Sequence, residues 1–172
     1  MEKYSKCMVR IHWIHAALIA FVLLSGGLIL SEMPNNIDKI GSLKGHMLLG
    51  VLITVITFVR LFKVSKHPEM KPLGVGTGRE QIIKWNHRLI YLMLIIVGLS
   101  GMVAANTSGL GDIVFFGKEA ELYADATSLS KLAGGVHAVA TKLLMALIVM
   151  HVAGIISYVI KTKENVLKRM WF

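Results

Sequence analysis

The chain has 172 residues, 55% of them hydrophobic and 17% charged, with a mean hydropathy of +0.64. An ordinary soluble domain is about 45–50% apolar and about a quarter charged, and a disordered chain is poorer still in apolar residues, so both classes are excluded. Nineteen Lys and Arg against ten Asp and Glu give a net charge of +9, which in so apolar a chain points to a membrane surface before it points to nucleic acid.

Residues 1–10 are short and basic, and an apolar stretch follows over 11–30. A cleaved signal peptide has an apolar region of about 7–15 residues closed by a small-residue cleavage site. This stretch is longer and runs on into Ser31-Glu32-Met33-Pro34, so it reads as a retained first span. Three further apolar stretches lie at 45–62, 89–105 and 137–160. A helix needs about 20 residues to cross about 30 Å of hydrocarbon, and a helix satisfies its own backbone in lipid. The expectation is therefore an all-α membrane protein, a four-transmembrane-helix bundle formed by one domain over 1–172. Pro34, Pro68 and Pro72 all fall between the spans, where they break no helix. Cys7 is the single cysteine. It permits no internal disulfide and no C-x-x-C-H attachment, so any haem here is held non-covalently.

Charge orients the bundle. The N-terminus, the 60–88 connection and the C-terminus form one side with fourteen Lys and Arg against four Glu, a net of +10. The other side carries five Lys against six Asp and Glu, a net of −1. Positive charge collects on the cytoplasmic side, so both termini are expected there. Trp13, Trp85 and Trp171 fall on that side too, as an interfacial aromatic belt would place them. The basic excess thus reports orientation and contact with membrane lipid, and no nucleic-acid partner is expected.

Six of the seven histidines stand in or at the ends of spans, where an ionisable group is costly and by default functional. His12 and His15 open the first span, His46 the second and His87 the third. His137 and His151 share the fourth, while His67 lies in a loop. His137 and His151 are 14 residues apart, which leaves them about 40° from one direction and about 21 Å apart along the helix. With alternating spans, His46 shares the depth of His137, and His12 or His15 shares that of His151. Two imidazole pairs stacked across the membrane are what two haems between helices require. Gly50, Ala17 and Gly154 are the small residues expected to admit the macrocycles. His15, His67 and His87 read singly as hydrogen-bonded or interfacial histidines. A proton or metal transporter would add carboxylates, and none of the four stretches holds an Asp or Glu.

These residues resemble the bacterial cytochrome b561 family. The matching pieces are Arg10-Ile11-His12-Trp13, Gly45-His46-Met47-Leu48-Leu49-Gly50 and Asn86-His87-Arg88-Leu89-Ile90-Tyr91, which open the first three spans. Val136-His137, Lys142-Leu143-Leu144 and Met150-His151-Val152 continue the pattern through the fourth. The resemblance implies two b-type haems, with His46 and His137 as the iron ligands of the outer one and His12 and His151 as those of the inner one. It gives His87 a supporting or quinone-side role. It also implies a bacterial inner-membrane protein that passes electrons to or from the quinone pool of a respiratory chain, with an unidentified donor on the outer side. Two alternatives share the fold: a superoxide:quinone oxidoreductase, and a membrane-anchor subunit of a larger dehydrogenase. Bis-histidine ligation fills both axial positions and favours electron transfer over substrate binding. Arg10, Arg60, Lys84 and Arg88 inside, and Lys39, Lys44 and Lys142 outside, are candidate partners for haem propionates. Lys142 also fits simple snorkelling to the interface. The acidic segment 112–125, with Phe115 and Phe116, reads as a solvated loop with a short interfacial helix.

Overall fold

A computed structural model describes residues 4–66, 77–118 and 126–171, so His67 and the acidic residues 119–125 lie outside the described residues. The four apolar stretches lie within four long helices, which run past them at one or both ends. Helix α1 (Lys6–Leu24) is continued by a π-helical turn (Ser25–Leu30), and α2 spans Asp38–Lys66. Helix α3 spans Thr77–Thr107, α4 is the short Leu110–Phe116, and α5 spans Ser128–Thr162. All four long helices are apolar enough to cross a membrane. At 1.5 Å per residue the 35-residue α5 is about 52 Å long, so its ends stand clear of a hydrocarbon layer about 30 Å thick.

Local chemistry sets the helix ends. The Ser5 hydroxyl accepts from the Met8 N–H at 3.3 Å and opens α1, and the Thr127 hydroxyl accepts from the Ser130 N–H at 3.1 Å and opens α5. Gly109 and Gly117 bracket α4 with φ of 69° and 66°, a left-handed backbone that glycine adopts without strain. The segment expected as a loop with a short interfacial helix does contain a short helix, α4, over its described part, and that helix packs on the bundle. Leu110 and Val114 of α4 are buried against Leu43 of α2, while Phe116 stays exposed. Asp112 is paired with Lys118 at its edge.

The two chain termini meet. The Tyr4 N–H donates to the Arg169 carbonyl at 3.2 Å, and the Trp13 indole N–H donates to the Met170 carbonyl at 2.7 Å. Trp171 stacks edge-on to Trp13 with ring centroids 6.3 Å apart. This end of the bundle is the terminal end below, and the α4 end is the far end.

Helix α1 packs along α2, α2 along α3, and α3 most extensively along α5. Among the described residues no comparable backbone approach joins α5 to α1 or α2. The seam between α2 and α3 is tight at Gly98, where an added Cβ would collide with the Thr54 hydroxyl. Side chains bridge the wider space between α5 and α1–α2 at mid-bundle, where buried Ile19, Ile53, Leu94 and Leu144 meet. Each lies seven residues from a histidine of its own helix: His12, His46, His87, and for Leu144 both His137 and His151. Seven residues is two helical turns, about 10.5 Å. The apolar layer therefore separates two histidine levels, one toward each end.

Candidate functional site

At the far level, the sequence-expected pair comes together. The rings of His46 (α2) and His137 (α5) lie with centroids 6.3 Å apart at an interplanar angle of 72°. A ring centroid is about 1.1 Å from its nitrogens and a metal–imidazole bond is about 2.0–2.1 Å, so two imidazoles trans on one metal stand about 6.3 Å apart. His137 donates its Nδ1–H to the Val97 carbonyl of α3 at 2.9 Å, which fixes that tautomer and leaves Nε2 for a ligand. Nδ1 of His46 is buried without a hydrogen-bond partner. Two glycines wall the rings: a Cβ on Gly26 would stand 3.0 Å from Cε1 of His46, and one on Gly101 3.0 Å from Cε1 and Nδ1 of His137. Gly26 lies in the π-helical turn over Ser25–Leu30.

At the terminal level, His12, His15, His87 and His151 gather around Arg60. His15 is completely buried, and both of its nitrogens are engaged. Arg60, a donor only, donates from Nη1 to Nδ1 of His15 at 3.2 Å, which puts the ring proton on Nε2. That Nε2–H is directed at the Ile53 carbonyl and the Thr57 hydroxyl, both at 3.2 Å. Arg60 Nη2 donates to Nδ1 of His12 at 3.0 Å, and the guanidinium lies over the Tyr91 ring at 5.5 Å. His87 donates Nδ1–H to the Ile83 carbonyl at 2.7 Å, and its ring meets that of His151 edge-on at 4.9 Å.

Of the sequence-expected pairs, then, His46–His137 is in direct ring contact. His12 and His151 share a level without a ring contact of their own. Of the small residues expected to admit the macrocycles, Gly50 and Gly154 face open space, where an added Cβ meets nothing within 4 Å, and Ala17 is exposed. The glycines packed on the imidazoles are Gly26 and Gly101, which sequence reasoning missed. Gly101 lies on a helix with no ligand assigned to it, and its contact depends on how α3 is rotated against α5. The Val97 carbonyl was equally invisible, since any backbone carbonyl looks alike in a sequence. Arg60 was expected as a propionate partner; the structure bonds it to two histidines 45 and 48 residues away. Of the far-end lysines, Lys39 is held by the Met33 carbonyl and Asn35, Lys44 lies over Phe115, and Lys142 is exposed.

Histidines at two depths of an apolar four-helix bundle are an arrangement that suits a flat metal-bearing group between helices. The residues present fit such a group: the His46–His137 spacing matches one shared metal, the Nδ1 of His46 is orphaned, and glycines cradle both rings. The chain belongs to the prokaryotic cytochrome b561 family, whose model matches residues 3–172, nearly its whole length. No individually curated protein matches it. It is accordingly a multi-pass membrane protein of electron transfer that carries b-type haem.

Proposed function

We propose that this protein is a di-haem electron carrier linked to the quinone pool, with His46 and His137 as the axial ligands at the far level and His12 and His151 at the terminal level. The observation that carries the reading is the 6.3 Å separation of the His46 and His137 rings between glycine walls. At the terminal level, support for His12 comes from the engagement of both His15 nitrogens. His87 stands against His151 at 4.9 Å, too close for two imidazoles trans on one metal. His87 then supports His151 by packing, its own orientation fixed by the Ile83 carbonyl.

Bound haem supplies a one-electron couple at each level. The chain's residues do the rest. Held by two imidazoles at each level, the group would serve electron transfer rather than binding of oxygen or substrate. The Val97 carbonyl orients His137 and raises its basicity. The layer of Ile19, Ile53, Leu94 and Leu144 keeps the space between the levels dry and apolar. The charge asymmetry of the sequence supports a cytoplasmic terminal end in a bacterial inner membrane.

The test is a redox-titrated optical spectrum of the purified protein with its haem counted per chain. Two haems of b type, each lost singly in His46→Ala and His12→Ala and both lost or disturbed in a double His137→Ala/His151→Ala, are expected. One haem per chain, or unchanged spectra in His137→Ala and His151→Ala, refutes the assignment.

A further inference from the structure

The two histidine levels differ in fixed charge. At the far level the polar group bonded to a ring is a backbone carbonyl, that of Val97, and the walls are glycines. At the terminal level a guanidinium touches two imidazoles, and none of the ion pairs among the described residues includes Arg60. Its Nε is buried with no hydrogen-bond partner, and Tyr91 covers its face. The groups beside it on the packed helices include no carboxylate: His12 and His15 from α1, Thr57 from α2 itself, His87 and Tyr91 from α3, and His151 from α5.

We infer that Arg60 is the positive charge that makes the terminal level the electron-accepting one of the two, and that His15 is the positioning residue that keeps it there. This rests on the di-haem reading above. A nearby cation in a low-dielectric interior favours the iron state carrying one positive charge fewer, which is the reduced one. A carbonyl accepting from the Nδ1–H of an axial imidazole makes that ligand more basic and favours the oxidised state. The two effects act in the same sense across the bundle. In the haem-loaded protein an electron would be favoured to move from the far level to the terminal level, the one losing and the other gaining a single electron.

His15 enters through tautomers. A neutral imidazole that gives Nε2 to a metal keeps its proton on Nδ1, and an Nδ1–H cannot accept from Arg60. Loading His12 therefore releases one of the two bonds that hold the guanidinium. The other remains, because the Ile53 carbonyl and Thr57 hydroxyl keep the His15 proton on Nε2 and its Nδ1 open as an acceptor. The charge stays beside the level while the ligand changes partner.

The experiment is an optical redox titration of the haem-loaded protein, with haem counted per chain, in wild type and in Arg60→Gln, Arg60→Lys, His15→Gln and His46→Ala. Arg60→Gln is expected to lower the higher midpoint by at least 59 mV, a tenfold change in a one-electron equilibrium, and to leave the lower one in place. Arg60→Lys retains the charge and keeps the higher midpoint near its wild-type value. His15→Gln lowers the same midpoint with two haems still bound. His46→Ala strips the far level, so its single remaining midpoint is the higher one, and Arg60→Gln on that background lowers it. Unchanged midpoints in Arg60→Gln with both haems bound overturn the inference, as do equal shifts at both levels or a low remaining midpoint in His46→Ala. Should Arg60→Gln lose its haem, His15→Gln decides: an unmoved midpoint there overturns the inference. A wild type with fewer than two haems refutes the di-haem reading itself, before any variant is measured.

Discussion

Gly101→Ala places a methyl group against the face of His137, and the structure gives the scale of the response. The added Cβ would stand 3.0 Å from both Cε1 and Nδ1 of the ring, against about 3.5–4.0 Å for comfortable carbon contact. The ring must retreat by roughly 0.5–1 Å, and its Nδ1–H bond to the Val97 carbonyl, now 2.9 Å, is stretched or lost. That bond contributes about 0.5–1.5 kcal/mol, and overpacking strain adds about 1–3 kcal/mol. A free imidazole can swing aside, whereas a metal-bound one cannot, so most of the cost falls on the haem-loaded state. A combined penalty of about 2–4 kcal/mol corresponds to roughly 30- to 700-fold weaker haem retention at the far level. The assay is haem per chain and the reduced-minus-oxidised spectrum after purification, with Gly134→Ala as the control. Gly134 is on α5 in open space, where a Cβ meets nothing within 4 Å. Gly101→Ala should lose one of two haem signals and Gly134→Ala neither. Full haem content with an unaltered spectrum in Gly101→Ala would refute the assignment of His137 as a ligand held against that glycine.

Gly98→Ala drives a methyl into the Thr54 hydroxyl across the α2–α3 seam and should cost about 1–3 kcal/mol. Thermal loss of helicity in detergent measures it, and Thr54→Ala in the same chain should restore much of the loss through pairwise coupling. Leu144→Ala empties the middle of the apolar layer, where Leu144 is 1% exposed. The cost should fall at the low end of about 2–5 kcal/mol, because lipid, unlike water, offers the unpacked side chain an apolar alternative. His15→Ala should keep both haems, in contrast to the four ligand variants, while destabilising the fold by about 1–3 kcal/mol through the donors it orphans at Arg60. Trp13→Phe removes the 2.7 Å bond to the Met170 carbonyl. It should speed hydrogen exchange over the C-terminal turn (Val166–Met170) and cost about 0.5–1.5 kcal/mol.

The sequence by itself determined the number of long helices and the level of each of the six histidines in or beside the spans. Those follow from counting: a fixed rise per residue converts position in a span into height, and a 14-residue interval puts His137 and His151 on one face at two heights. Apolar composition and the placing of charge needed no contacts either. Rotation and partnership are different. In lipid each helix is apolar nearly all round, so no polar stripe marks which face turns inward. His12 and His15 are three residues apart and equally eligible by depth. Only the packing of α1 against α2 turned His15 onto Ile53, Thr57 and Arg60 and used up both of its nitrogens. The contact between Gly26 of the π-helical turn and His46, the Val97 carbonyl under His137 and the guanidinium shared by two imidazoles are likewise relations between helices. They depend on register and azimuth, which a one-dimensional pattern of apolar residues does not encode, and which close packing between particular side chains alone decides.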